Sequence, residues 1–206
     1  MDIAKREQIL ITVLTYPMPS AKYIKTICTG GITDHQEWRR LYPVPLRYLQ
    51  GAQRYHTYDV IEVDLTKGKD NRPETRTPNV PTLKVVDKIN GWDPRCQWVN
   101  PTIFPSLEAM KAAGSTIGPV AVQEVVDLLA KESAHDWKPE QKEKLRQAQL
   151  FDEQKPLEKI PWEFRFIWKD SDGVEHNSLI LEWEMCQTWR QYRHRYSDPI
   201  QRIRDK

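Results

Sequence analysis

Hydrophobic and polar positions alternate in short runs along the first third of the chain, and these runs predict β-strands. Gln8 to Leu14 is β-branched and almost continuously apolar, as a buried strand requires. Tyr16-Pro-Met-Pro-Ser20 ends it, because each proline removes a ladder donor and fixes φ. Lys22 to Ile32 alternates through Tyr23, Ile24, Ile27 and Cys28 and runs into Gly30-Gly31, predicting a second strand with a flexible or bulged end. Tyr55 to Leu65 predicts a third, with Val60, Ile61, Val63 and Leu65 set among Asp59, Glu62 and Asp64. Between these two, Arg39 to Leu49 carries Pro43 and Pro45, which forbid a long helix. A turn and a single helical turn at Leu46 to Leu49 are expected there. Lys67 to Pro81 is charged and proline-broken, and predicts a long loop.

Helical spacing comes next, at Lys84 to Ile89 and at Pro105 to Ala113, the latter with Ser106 as cap and Gly114 as stop. Val120 to Lys131 fits helix or strand: Val122, Val125, Val126 and Leu129 suit the helical period, and the β-branched content suits a strand. Lys138 to Leu150 reads as a helix with Pro139 in its first turn. Trp162 to Trp168 alternates aromatic and polar residues, Lys169 to Gly173 carries an Asp-Gly turn signal, and Asn177 to Glu182 makes a return strand. Helical spacing resumes from Trp183 to Tyr196, and Ser197-Asp198-Pro199 opens a short final helix.

Strands and short helices without βαβ alternation predict an α+β fold. The layout is two small β-rich, barrel-like units with short helices and a C-terminal helix, breaking between about Gly91 and Gly118. On that basis 1–100 is an N-terminal β-rich domain, and 101–206 is a helical connector followed by a β-hairpin and the C-terminal helix.

Composition narrows the function classes. The 206 residues include eight Trp, fifteen Pro and only eight Gly, which argues for a folded chain with many stiff turns. Lys and Arg number 31 against 29 Asp and Glu, so a nucleic-acid reading must rest on local clusters, not on net charge. The three cysteines, Cys28, Cys96 and Cys186, form no CxxC pair and are odd in number, which speaks against a secreted disulfide framework. The longest apolar run, Ile9 to Leu14, falls far short of the roughly 18 residues of a membrane span. With no apolar signal core behind the first charges, a cytoplasmic location without membrane association is expected.

Three segments interleave arginine with aromatic residues. Trp38-Arg39-Arg40-Leu41-Tyr42-Pro43-Val44-Pro45-Leu46-Arg47-Tyr48 sets three guanidiniums around three flat rings on a proline-stiffened backbone. Guanidinium forks suit phosphates, and aromatic faces suit exposed bases. Arg72 and Arg76 flank Glu74 in the charged loop, and folding against the first cluster would join the two into one positive groove. From Cys186 onward five Arg and one Lys face two Asp, with Arg190, Arg193 and Arg195 set among Trp189, Tyr192 and Tyr196.

Catalytic signals are sparse. Asp170, Asp172 and His176 could converge on an ion, but no Ca²⁺-loop spacing and no nearby thiol support them. Glu62 with Asp64, and Glu182 with Glu184, are paired acids of the kind a metal-dependent nuclease uses. There is no GxSxG, GxGxxG or Walker-type loop. No catalytic residue, metal or cofactor is therefore assigned.

The series Tyr16-Pro-x-Pro-Ser20, Cys28-Thr-Gly-Gly-Ile32, Trp38 to Arg47, Arg72-Pro-Glu74 and Leu181-Glu-Trp-Glu184 resembles small uncharacterised prokaryotic proteins found near mobile-element and phage-defence genes. Those similar sequences carry a Cys pair ahead of the position of His176, where this chain has Lys169-Asp-Ser-Asp-Gly. The layout also resembles paired oligonucleotide-binding folds. The leading expectation is a non-enzymatic module that binds DNA or RNA, alone or within a larger protein complex. A protein-interaction adaptor or specificity subunit is the rival, because Trp and Arg also dominate protein interfaces. A metal-dependent nuclease is the third reading.

Overall fold

The computed structural model describes residues 4–17, 26–149 and 157–205. The first strands are β1 (Lys5–Leu14), β2 (Ile27–Thr33), β3 (Trp38–Val44), β4 (Asp59–Lys67), β5 (Thr75–Pro78) and β6 (Lys84–Lys88). They pair in the order β1-β2-β3-β5-β4, and β4 returns to β1, so five strands close into a barrel. Every pairing is antiparallel except β3 with β5. One edge of β4 is filled by β1; along the other lie β5, opposite Leu65 to Lys67, and β6, opposite Asp59 to Glu62. A single 3₁₀ turn at Val80–Thr82 separates those two short strands.

Residues directly opposite one another share a sheet face, so the register identifies the barrel interior. Ile9 opposes Ile61 and Glu7 opposes Val63, while Ile11 opposes Gly31, which in turn opposes Arg39. Those positions face inward. The intervening Leu10, Ile32 and Val60 face outward and are buried beneath Trp38, Tyr58, Ile89 and Trp98. Trp98 comes from α1 (Trp92–Val99). This stretch of β1 is thus covered on both sides, which explains why Ile9, Leu10 and Ile11 form an unbroken apolar run. A Cβ on Gly31 would lie 2.6 Å from both Ile9 Cγ2 and Leu10 O, so only glycine lets β2 approach β1 this closely.

Two polar contacts are buried on the inward face of the barrel strands. Thr29 Oγ1 lies 2.9 Å from Tyr55 Oη, and burial drives the Tyr55 phenol well above its ordinary pKa. Arg39, 7% exposed, donates from Nε to Glu7 Oε2 at 2.7 Å and from Nη2 to Glu7 Oε1 at 3.2 Å. It also pairs with Glu37 and donates to Trp38 O.

Beyond α1, α2 (Leu107–Ala112) begins at Ser106, whose side chain accepts from Ala109 N, and is followed by Gly114 at φ +70°, as expected. The second set of elements comprises β7 (Val122–Glu132), α3 (Pro139–Gln149), β8 (Trp162–Asp170), β9 (Glu175–Leu179), α4 (Trp183–Tyr192) and α5 (Pro199–Arg204). β7, β8 and β9 form a three-stranded sheet in that order, with Gly173 at φ +75° in the hairpin turn. Its core gathers Tyr16, Trp137, Leu157, Ile160 and Phe164 with Cys186 and Trp189 from α4, and Ile203 from α5. By its internal contacts the chain divides into two units, 1–14 with 26–121 and 170–172, and 15–25 with 122–169 and 173–206.

Several local expectations are corrected. Trp38 to Val44 is a strand, not a turn, despite Pro43. Between the pairs Thr29–Leu41 and Ile27–Val44, β3 carries one more residue than β2. Pro43 sits in that bulge, where no ladder donor is required. The single turn at Leu46–Tyr48 then follows as read. Lys84 to Lys88 is strand, not helix, because Val85 and Glu62's partner Lys84 complete the edge of β4. Part of the expected Lys67–Pro81 loop is β5. Within the expected second strand, 22–25 lies outside the described residues, as does Leu150 of the α3 reading.

The Arg39–Glu7 pair should contribute to the pH dependence of barrel stability. Burial raises the Glu7 pKa, but Arg39 and Lys5 outweigh it, and the net shift is downward. A depressed carboxylate contributes stability that is present above its unfolded pKa and is lost as pH falls through the folded value. Glu7→Ala should cost about 1–3 kcal/mol in urea unfolding at neutral pH, since it leaves the buried guanidinium with only Glu37 and the Trp38 carbonyl. It should also flatten the acid limb of stability against pH. The control Lys5→Ala, at a largely exposed side chain, should change stability by less than about 1 kcal/mol.

Candidate nucleic-acid interface

Period-two alternation along β3 divides the first arginine cluster. Arg39 and Leu41 face the interior, whereas Trp38, Arg40 and Tyr42 face outward. Trp38 is a packing residue: its ring covers the Leu10–Ile32–Val60 cluster, and Nε1 donates to Thr102 Oγ1 at 3.0 Å. Arg40 pairs with Asp70, donates to Thr75 Oγ1 at 3.1 Å, and has its guanidinium carbon 5.2 Å from the Tyr42 ring centroid.

The loop between β4 and β5 meets this face. Asp70 links the two segments, pairing with Arg40 and accepting from Arg72 N at 3.2 Å; burial raises the thiol pKa of Cys28 on β2, and the positive charges of Arg40 and Arg72 oppose that rise. Burial works against the ionisation of Asp70, but the Thr75 hydroxyl, the Arg72 backbone N–H and Arg40 hold its carboxyl below the ordinary range. Arg76 donates to Pro73 O at 2.7 Å and Thr75 O at 2.9 Å, which ties it to the loop backbone instead of to a carboxylate. Lys67, Lys69 and Arg72 are exposed, and none has an ion pair among the described residues. The outcome is a cationic patch around Arg40, Arg72 and Tyr42, with Asp70 as its internal counter-charge.

Glu74 anchors the loop. It is 8% exposed and accepts from Thr116 N at 2.6 Å, Thr116 Oγ1 at 2.7 Å and Ser115 Oγ at 2.8 Å. Burial favours its neutral form, but the Thr116 and Ser115 donors prevail and the pKa is lowered. The segment it clasps lies over part of the outer barrel wall. A Cβ at Gly30 would be 3.2 Å from Ile117 Cδ1, and one at Gly118 would be 2.8 Å from the Phe104 ring. The wall is therefore covered around Gly30 and Trp38, with Arg40, Tyr42 and the β4–β5 loop beyond the cover.

The other sequence-predicted positions divide clearly. Arg47 is half-buried and Tyr48 is 42% exposed on the 3₁₀ turn after β3. Arg190, Arg193 and Arg195 belong to the second unit. There Arg190 donates to Glu158 Oε2 at 2.8 Å, Arg193 pairs with the same carboxylate, and Arg193 stacks 4.7 Å from the Trp189 ring centroid. Arg195 is exposed. Against the convergence expected of them, Arg39, Arg190 and Arg193 are each neutralised by glutamate.

Of the paired acids, Glu62 and Asp64 are occupied, whereas burial and the neighbouring Glu184 raise the Glu182 pKa. Glu62 bonds Lys84 at 2.9 Å, and Asp64 bonds Arg6 at 2.7 Å, and both carboxyls are held below their ordinary range by these partners. Asp170 accepts from Leu107 N and Asp172 N, and the His176 ring lies against Trp168 with centroids 4.6 Å apart. Among the described residues no group of three or more His, Cys, Asp or Glu side chains is placed to hold a metal ion.

One surface cluster has no counterpart in the sequence reading: Trp92 and Arg95 of α1, with Tyr58. Its signal was Gly91-Trp-Asp-Pro94, an acidic residue and a proline opening a helix.

The protein defined by this architecture has two compact units, and two family models match successive stretches of the chain. Residues 5–101 match the family described as Domain of unknown function (DUF8758), and residues 104–206 match Domain of unknown function (DUF8757). The second match spans half of the chain, which belongs to that family. No curated protein and no solved structure matches the chain.

Glu74→Ala should leave the Ser115 and Thr116 donors without their carboxylate. The expected cost is about 1–3 kcal/mol. Hydrogen exchange read at the Thr116 amide should accelerate accordingly, with a smaller effect in Ser115→Ala.

Proposed function

We propose that the chain is a non-enzymatic nucleic-acid-binding protein whose barrel domain grips a single strand beside β3 and the β4–β5 loop. The observation that carries this reading is the docking of the β4–β5 loop on β3: Arg40, beside the Tyr42 ring, pairs with Asp70, which also accepts from Arg72 N at 3.2 Å, and Lys67 and Lys69 lie on the same loop. Guanidinium and ammonium groups would engage phosphates, and the Tyr42 ring would support a base. The barrel strengthens the reading by analogy. A closed five-stranded sheet is compatible with an OB-like fold, a class that binds oligonucleotides along strands 2–3 and the loop between strands 4 and 5. Those are the regions that carry the patch. Arg39 is not part of the contact set, since its guanidinium is spent on Glu7 within the barrel. A prokaryotic or phage-defence setting, as the sequence resemblance implies, goes with a small module of this kind.

A second reading is favoured by a different observation. The second unit exposes Val122, Val125 and Val126 on β7, with Phe166 on β8 and Leu179 on β9. A cavity of about 550 Å³ is lined there by Val125, Leu128, Phe166, Met185 and Ile203, with Glu182 and Glu184 among its walls. Exposed apolar surface of this extent suits a protein partner. That reading assigns the adaptor role to the second domain and leaves the barrel patch to nucleic acid.

Fluorescence anisotropy with labelled single-stranded oligonucleotides, as DNA and as RNA, tests the proposal across salt. Affinity should fall steeply between about 50 and about 200 mM salt. Lys69→Ala with Arg72→Ala should weaken binding and reduce the log–log salt slope by about 0.7 for each lost phosphate contact. Affinity that ignores both salt and the double substitution would overturn the assignment.

A further inference from the structure

We infer that Trp92, with Arg95 and Tyr58, forms a second contact on the barrel domain: a shelf for one unpaired base of a bound strand. The inference rests on the nucleic-acid reading and extends it to residues outside the Arg40–Arg72 patch. Tyr58 is the foundation. Its φ of +72° lies in the left-handed region, where a tyrosine is disfavoured and glycine or asparagine would be at ease. Two backbone hydrogen bonds hold it there, Tyr58 N to Ile11 O at 2.7 Å and Ile89 N to Tyr58 O at 2.9 Å. The ring packs against the Leu10–Ile32–Val60 cluster and also carries the Arg95 guanidinium, 3.7 Å from its centroid.

Arg95 is fixed by this stack and by Nε donating to Ile89 O at 3.2 Å. It has no carboxylate partner, and its Nη groups meet no acceptor, among the described residues. In this it differs from Arg39, Arg40, Arg190 and Arg193, each of which has an acid. Trp92 completes the cluster, with its ring centroid 5.3 Å from the guanidinium carbon and 6.2 Å from the Tyr58 centroid, the rings at 74°.

Packing does not account for Trp92. The inward-facing tryptophan of α1 is Trp98, and Trp92 is 69% exposed, more than any other large apolar side chain among the described residues. An exposed indole beside a guanidinium held flat, with its N–H edge unspent, suits a ligand that is planar, π-rich and anionic. A nucleotide in a single strand meets all three requirements, through its base face and its phosphate.

Binding of single-stranded oligonucleotides of roughly 16 nucleotides, compared with abasic oligomers of the same length, tests the shelf. Trp92→Ala should weaken binding of the normal strand by about tenfold, leave the abasic strand unchanged, and keep the salt slope. Trp92→Phe should recover most of the loss, and matching urea midpoints would establish that the fold is intact. If Trp92→Ala binds both strands like the parent while Lys69→Ala with Arg72→Ala still weakens them, the shelf is overturned and the main reading survives. Equal weakening of normal and abasic strands also overturns it, because stacking requires a base. No binding of either strand by the parent protein removes both the shelf and the reading beneath it.

Discussion

The parallel pairing of β3 with β5, through Arg40 opposite Thr75 and Leu41 opposite Arg76, turns a run of antiparallel hairpins into a closed barrel. Antiparallel neighbours along a chain need only a turn between them, but this junction joins strands separated by the whole of β4 and its loops. Its ladder includes Arg40 N donating to Glu74 O at 3.1 Å. The constraint therefore does two things together. It removes the open sheet edges, and it draws the β4–β5 loop to the outward side chains of β3. The grouping of Arg40 with Asp70 and Arg72 follows from closure and has no separate cause.

Closure also explains the economy of charge in a chain that is formally only +2. Arg39, Arg40, Arg190 and Arg193 are held by acids of the protein itself, and these pairs order the structure without creating a strong outward field. The pair inside the barrel is the costliest to desolvate, and its geometry is accordingly the most complete, with two hydrogen bonds to one carboxylate and others to Glu37 and a backbone carbonyl. On the barrel domain, the cations without an acid among the described residues include Lys67, Lys69 and Arg72 of the β4–β5 loop and Arg95 of α1. A local field of that kind is short in range and favours contact over long-range steering.

The α+β class and most strands were legible in the sequence, because apolar alternation and turn residues act locally. β3 was hidden by Pro43, whose missing donor argues against a strand unless a bulge receives it, and a bulge depends on the register of the neighbouring strand. The consequence for the site was large. Read as a turn, the segment offers Arg39 and Arg40 to solvent together; as a strand, it sends one inside and the other out. Arg72 and Arg76 were identified from composition, but their different fates depended on the loop backbone, which accepts from Arg76. Trp92 went unnoticed for a simpler reason: exposure is a property of the folded surface, and nothing in Gly-Trp-Asp-Pro distinguishes an outward tryptophan from an inward one.

The Glu74 clasp bears on where the first domain ends. The two families meet between residues 101 and 104, yet the donors that complete the clasp are Ser115 and Thr116, and the side chain lying over Gly30 is Ile117. The internal contacts of the chain likewise carry the barrel unit on to Ala121. Inheritance and mechanical integrity thus draw their borders some twenty residues apart. A fragment severed at the family seam would present a bare carboxylate and an uncovered stretch of sheet, and its behaviour in solution would describe the wound as much as the domain.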